Sequence, residues 1–193
     1  MQTIYPKRRS IRLKWYDYAL EGLYFVTIVT FRRQYLFGEV VNEDMKLNAF
    51  GKIAREEWFK TQVLRTNVEL DDDEFVVMPN HVHGIIWLQG DEKKVIADDN
   101  GTECLNGTGD LQVARTRIES TSIRPKGPPT KSIGAILAGY KAAVTTRINT
   151  LRRVKGEPVW HRNYYEHIIN SEREYNNIVN YIYENPANWG NKE

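Results

Sequence analysis

The sequence predicts an α+β domain built on an antiparallel sheet that carries its helices on one face. Two short stretches change from strand-like to helical periodicity, a Pro-Asn turn joins two consecutive apolar strands, and a capped helix closes the chain. At 193 residues the chain holds one core of ordinary size, so it reads as a single domain over residues 1–193.

Leu23 to Thr30 (LYFVTIVT) is β-branched, aromatic and nearly alternating, between Gly22 and the pair Arg32 and Arg33, and reads as a central strand. Asn48 to Val63 places Phe50, Ile53, Ala54, Trp58 and Val63 at mostly helical spacing. Val68 to Met78 becomes strand-like at FVVM, turns at Pro79 and Asn80, and continues as the strand His81 to Leu88, a hairpin. Gly90 to Thr130 is rich in Gly, Asp, Asn, Thr, Ser and Pro without sustained periodicity and reads as a flexible insert. Ser132 to Leu151 is a helix with Ser132 as N-cap, apolar through Ile136, Ala143 and Val144 and basic at Lys141 and Arg147. Val159 to Ile168 is a short aromatic extended segment. Ser171 to Glu184 opens with Ser171 and Glu174 in capping-box spacing and stops before Pro186. With the strands and helices in this order, a ferredoxin-like sheet is the simplest arrangement.

Composition narrows the function classes. An apolar content of 41% and an aromatic content of 11% fit a globular protein. No apolar run reaches the ~20 residues of a membrane helix, and no export signal is visible. Cys104 is the sole cysteine, which excludes an intramolecular disulfide and a multi-thiolate metal site and fits the reducing cytoplasm. The net charge of +2 hides segregation: Lys7, Arg8, Arg9, Arg12 and Lys14 face only Asp17 near the start. Arg115 to Lys155 holds ten basic residues against Glu119 alone, while Glu69 to Glu74 is acidic. Separated positive charge is what a polyanion would meet, and equally what a solvated basic surface looks like.

The chemistry-bearing pattern is His81-Val82-His83. On a strand, residues i and i+2 share a face, so two imidazoles can converge on one ion while Val82 anchors the opposite face. Two exposed or otherwise satisfied histidines give the same pattern. On the terminal helix, Tyr181 and Asn185 lie four residues apart and share a face, which puts a candidate nucleophile one turn from a hard amide oxygen. A packed tyrosine and a helix-ending asparagine before Pro186 are the competing reading. Tyr183 is rotated about 200° from Tyr181 and faces elsewhere.

These residues resemble a known family. Met78 to Leu88, MPNHVHGIIWL, is similar to the histidine-hydrophobic-histidine strand of the HUH single-tyrosine transposases, in particular the REP-associated tyrosine transposases. RSIRLKWYDYALEGLYFVTIVT (Arg9 to Thr30), LDDDEFVVMPNHVH (Leu70 to His83), VWHRNYYEHII (Val159 to Ile169) and NYIYENP (Asn180 to Pro186) follow in the family's order. Only Gly90 to Thr130 stands outside the resemblance.

The resemblance implies an HUH endonuclease fold in which His81 and His83 bind Mg²⁺ or Mn²⁺ and Tyr181 is the nucleophile. Asn185 would be the third ligand, where related insertion-sequence transposases use the longer glutamine. The implied activity is cleavage and strand transfer of single-stranded DNA near hairpins, such as extragenic palindromes, through a 5′-phosphotyrosine, by a bacterial cytoplasmic protein. Lys7, Arg8, Arg9, Arg12, Lys141 and Arg147 are the candidate DNA contacts, and Trp15 and Tyr16 candidate base-stacking aromatics. A hydrolytic metal phosphodiesterase and a catalytically silent hairpin-binding protein are the alternatives. Monomer and homodimer stay open.

Overall fold

A computed structural model describes residues 20–90 and 130–191. The central pair of its sheet is β1 (Gly22–Val29) against β6 (His81–Leu88), with Gly22 opposite Leu88 and Val29 opposite His81. On the far side of β1 lies β7 (Tyr165–Ile169), with Leu23 opposite Ile169. The outer edge of β6 takes two short strands end to end, β4 (Val68–Glu69) and β5 (Phe75–Met78). Every pairing is antiparallel. With β4 and β5 counted as one interrupted strand, the order is that of the expected ferredoxin-like sheet. A separate hairpin, β2 (Gly38–Val41) with β3 (Asp44–Leu47), was not foreseen. Its turn residues Asn42 and Glu43 both adopt positive φ, as a two-residue hairpin turn requires.

The helices begin where their caps place them. In α1 (Ala49–Leu64) the Asn48 side-chain oxygen accepts from the backbone N–H of Phe50 and Gly51 at 2.9 and 3.0 Å. In α2 (Ile133–Arg152) Ser132 accepts from Ala135. In α3 (Glu172–Glu184) Ser171 accepts from Glu174 at 3.2 Å. The Glu174 carboxylate completes only part of the expected capping box, since it accepts from the N–H of Asn170 rather than of Ser171.

The expectation of helices on one face alone is corrected. Tyr24, Val26, Ile28, Val82, Ile86 and Leu88 pack under α1 and α2 through Trp58, Ile136, Leu137, Tyr140 and Val144. The opposite face carries a smaller cluster of Phe25, Ile85 and Ile169, covered by Ile182, Ile178 and Tyr175 of α3. Three consecutive residues of β1, Tyr24, Phe25 and Val26, are buried, which happens only when both faces of a strand are covered. Each fully buried aliphatic or aromatic side chain contributes roughly 1.5–3 kcal/mol, so β1 and β6 are the most firmly held strands.

Among the described residues no helix is long and apolar enough to cross a membrane. The insert expected over residues 90–130 lies almost wholly outside the described residues.

Candidate metal and tyrosine site

Alternation places His81 and His83 on the α3 side of β6, while Val82 between them is fully buried on the other side, as the spacing predicted. The start of β6 is fixed from outside the strand. The carbonyl oxygen of Pro79 accepts from the N–H of Leu36 and Phe37, and that of Asn80 from the N–H and hydroxyl of buried Thr30. His81 thus leaves a turn tied down by four hydrogen bonds.

The two imidazoles converge: Nε2 of His81 lies 2.9 Å from Nε2 of His83. Their other nitrogens are held from behind, Nδ1 of His81 at 2.7 Å from Oδ1 of Asn80 and Nδ1 of His83 at 2.8 Å from Oγ1 of Thr27. An amide oxygen only accepts, so Nδ1 of His81 carries the proton and its Nε2 presents a lone pair. His83, 5% exposed, is stacked on Phe25 with ring centroids 5.5 Å apart. His81 is tilted against Trp189 at 5.7 Å.

α3 crosses this face so that the Tyr181 hydroxyl comes within 3.3 Å of Nε2 of His83. The Tyr181 ring meets Phe25 edge-on at 6.2 Å and remains 40% exposed, open to a substrate. Tyr183 is 83% exposed and points away, as its helical position predicted. Asn185, one turn after Tyr181, is 6% exposed, and its Nδ2 has no hydrogen-bond partner. It lines a cleft of about 460 Å³ together with His81 and Tyr181.

This donor set fits a divalent cation. An Nε2–Nε2 separation of 2.9 Å suits a hydrogen bond between the two rings and is also close to the spacing of neighbouring ligands on one metal, so the same geometry can accept a cation once the shared proton is lost. The buried Asn185 amide, whose Nδ2 has no hydrogen-bond partner, could present a hard oxygen there after a rotation that exchanges its two ends. Among the described residues no three His, Cys, Asp or Glu side chains cluster, so a third protein ligand here would have to be of another kind, such as Asn185 in the same cleft.

The other candidates lie apart from the site. Arg147 pairs with Glu56 at 2.6 Å and with buried Glu57 at 2.8 Å, across α1 and α2. Lys141 donates to the carbonyls of His161 and Arg162 at 2.7 and 3.0 Å, and burial pulls its ammonium down to about 8. His167 pairs with Glu174 at 2.6 Å. The Asn170 N–H first, and then His167, hold the Glu174 carboxyl below its usual range. Lys7, Arg8, Arg9, Arg12, Trp15 and Tyr16 lie outside the described residues.

Sequence reasoning missed Thr27 and Asn80 as partners of the histidines, and Arg33, Tyr35 and Trp189 as walls of the cleft. Asn80 had a signal, since it directly precedes His81. The others depend on strand register and on the turn after Pro186.

No family model matches the chain. An uncharacterized protein of Haemophilus influenzae is 37% identical over 182 residues, covering 94% of this chain and 89% of that protein. Among solved structures, a REP-associated tyrosine transposase bound to a REP hairpin superposes with a TM-score of 0.53 at 18% identity, over 93% of this chain and 75% of that one. The chain belongs to one family with the Haemophilus influenzae protein, and its fold is that of the REP-associated tyrosine transposase, the HUH fold its motifs imply.

Proposed function

We propose that this protein is a metal-dependent endonuclease and strand transferase of single-stranded DNA, a transposase of the REP-associated tyrosine type. The observation that carries the reading is the Tyr181 hydroxyl 3.3 Å from Nε2 of a histidine whose partner imidazole stands 2.9 Å away, with buried Asn185 in the same cleft. The fold shared with a hairpin-bound transposase supports DNA hairpins as the substrate class.

His81, His83 and Asn185 would hold Mg²⁺ or Mn²⁺, which when bound withdraws charge from a phosphate and favours ionisation of a nearby phenol. Tyr181 Oη attacks phosphorus and forms the new O–P bond. The bond from phosphorus to the 3′-oxygen breaks, the phenol proton passes to solvent, and the leaving 3′-oxygen gains a proton. The phosphodiester is conserved as a 5′-phosphotyrosine, so a 3′-hydroxyl from another strand reverses the step and joins without ATP. Phe25 keeps the ring of Tyr181 upright against His83, which limits the conformations the nucleophile must give up before attack. Such a protein works in the cytoplasm, on the nucleoid.

The test is incubation with Mg²⁺ or Mn²⁺ and labelled hairpin oligonucleotides, followed by a denaturing protein gel. A covalent DNA adduct is expected from the wild type and from Tyr183→Phe, and none from Tyr181→Phe or with chelator. Cleavage without an adduct would replace this reading with a hydrolytic phosphodiesterase, and hairpin binding with neither product with a silent binding protein.

A further inference from the structure

The cleft continues past the catalytic residues, and its far end is built of Arg33, Tyr35, Asn188 and Trp189. Tyr35 is 70% exposed, so its ring does little for the fold. It stands edge-on to Trp189 at 5.7 Å, and Trp189 in turn leans on His81 at the same separation. The three rings form a continuous run from open solvent to the histidine pair.

Arg33 is exposed at the lip of this run, and among the described residues no side-chain hydrogen bond or ion pair engages it. It follows Arg32, and both adopt positive φ, 54° and 55°. Successive non-glycine residues in that region are rare and need a surrounding structure that enforces them. Here the enforcement comes from Arg33 N–H donating to Thr30, and from Leu36 and Phe37 donating to Pro79, the turn that launches β6. The segment that aims Arg33 into the cleft is therefore tied to the segment that aims His81.

We infer that this end of the cleft is a nucleotide subsite. It takes one unstacked nucleotide of single-stranded DNA next to the phosphate presented to Tyr181, its base against Tyr35 and Trp189 and its own phosphate on Arg33. Aromatic faces stack any base, a guanidinium matches a phosphate in two-pronged geometry, and the Asn188 amide offers a donor and an acceptor to a base edge. This inference rests on the single-stranded DNA reading above and adds where the protein grips the strand.

The experiment uses Tyr181→Phe protein, so that binding is read without cleavage, with Mg²⁺ and labelled hairpins bearing single-stranded flanks. An abasic site is moved along the flank and affinity measured by fluorescence anisotropy. One abasic position is expected to weaken binding roughly tenfold, and to have no further effect once Tyr35→Ala is added. Adding Arg33→Ala instead should lower the slope of log affinity against log salt by about one. Circular dichroism checks that these exposed substitutions leave the fold intact. An unchanged abasic profile in Tyr35→Ala would overturn the subsite while the nuclease reading stands. Failure of Tyr181→Phe protein to bind any single-stranded flank would overturn both.

Discussion

Thr27 and His83 face each other across β1 and β6, and the Thr27 hydroxyl lies 2.8 Å from Nδ1 of His83. When Nδ1–H donates to that oxygen, Nε2 of His83 carries the lone pair and can serve a cation beside Nε2 of His81. Thr27 thus holds the ring from behind and offers an acceptor to the tautomer that would ligate.

Thr27→Val keeps the shape and removes this hydrogen bond, so the tautomer that would ligate loses its outer partner. Mn²⁺ affinity measured calorimetrically should fall by a factor of about ten, the lower end of what loss of a histidine's outer partner costs. Unchanged affinity would mean that His83 is oriented by its stacking on Phe25 alone.

A second prediction concerns β6 itself. Gly84 follows His83, and a Cβ there would come within 2.4 Å of the Trp58 ring and 2.9 Å of Phe75. Those rings are stacked at 4.5 Å in the core and have little room to retreat. Gly84→Ala should therefore destabilise the protein by about 1–3 kcal/mol, seen as a lower urea midpoint at unchanged slope. A midpoint equal to wild type would show that Trp58 repacks freely.

Much of this was readable beforehand because it depends on local spacing. His81 and His83 alternate on a strand, Tyr181 and Asn185 recur at one helical turn, and Asn48, Ser132 and Ser171 are cap residues in front of periodic runs. The hairpin of β2 and β3 escaped because GEVVNEDMKL alternates charged with apolar side chains that are only partly buried, leaving little apolar signal. The side of the sheet taken by α3 was legible in one respect. The unbroken apolar run through Tyr24, Phe25 and Val26 already calls for cover on both faces. Thr27, Tyr35 and Trp189 reach the site through register and tertiary turns, which single-sequence periodicity does not encode.

Arg147 gives a third prediction, because it was a candidate for binding DNA and is engaged by Glu56 and Glu57. Glu57 is 5% exposed, and without Arg147 the one ion pair it keeps among the described residues is with Lys60 at 3.7 Å. Breaking a fully buried pair costs about 3–5 kcal/mol, but Arg147 itself is 42% exposed and water screens it. Arg147→Ala should thus cost about 1–2 kcal/mol in denaturant unfolding, with DNA affinity changed far less than for a phosphate contact. Full stability combined with a marked drop in affinity would return Arg147 to the DNA surface.

The last prediction is a pH dependence. The Glu74 carboxyl is raised above its usual range, first by burial and then by repulsion from Asp71, Glu69 and Asp73, while the hydrogen bond donated by Tyr175 pulls the other way. The same contact pushes the Tyr175 phenol up to about 12. A carboxyl raised on folding binds its proton more tightly in the folded chain than in the unfolded one. Its favourable contribution is therefore complete at pH below the unfolded value, near ~4.3, and is lost as pH rises through the folded value. Glu74→Gln fixes the uncharged form and keeps an acceptor for Tyr175. The melting temperature of Glu74→Gln should match wild type near pH 3.5, separate above about pH 4.5, and stay higher at pH 7. A variant less stable than wild type at pH 7 would show that the ionised carboxylate holds Tyr175, and through it α3, more strongly than burial penalises the charge.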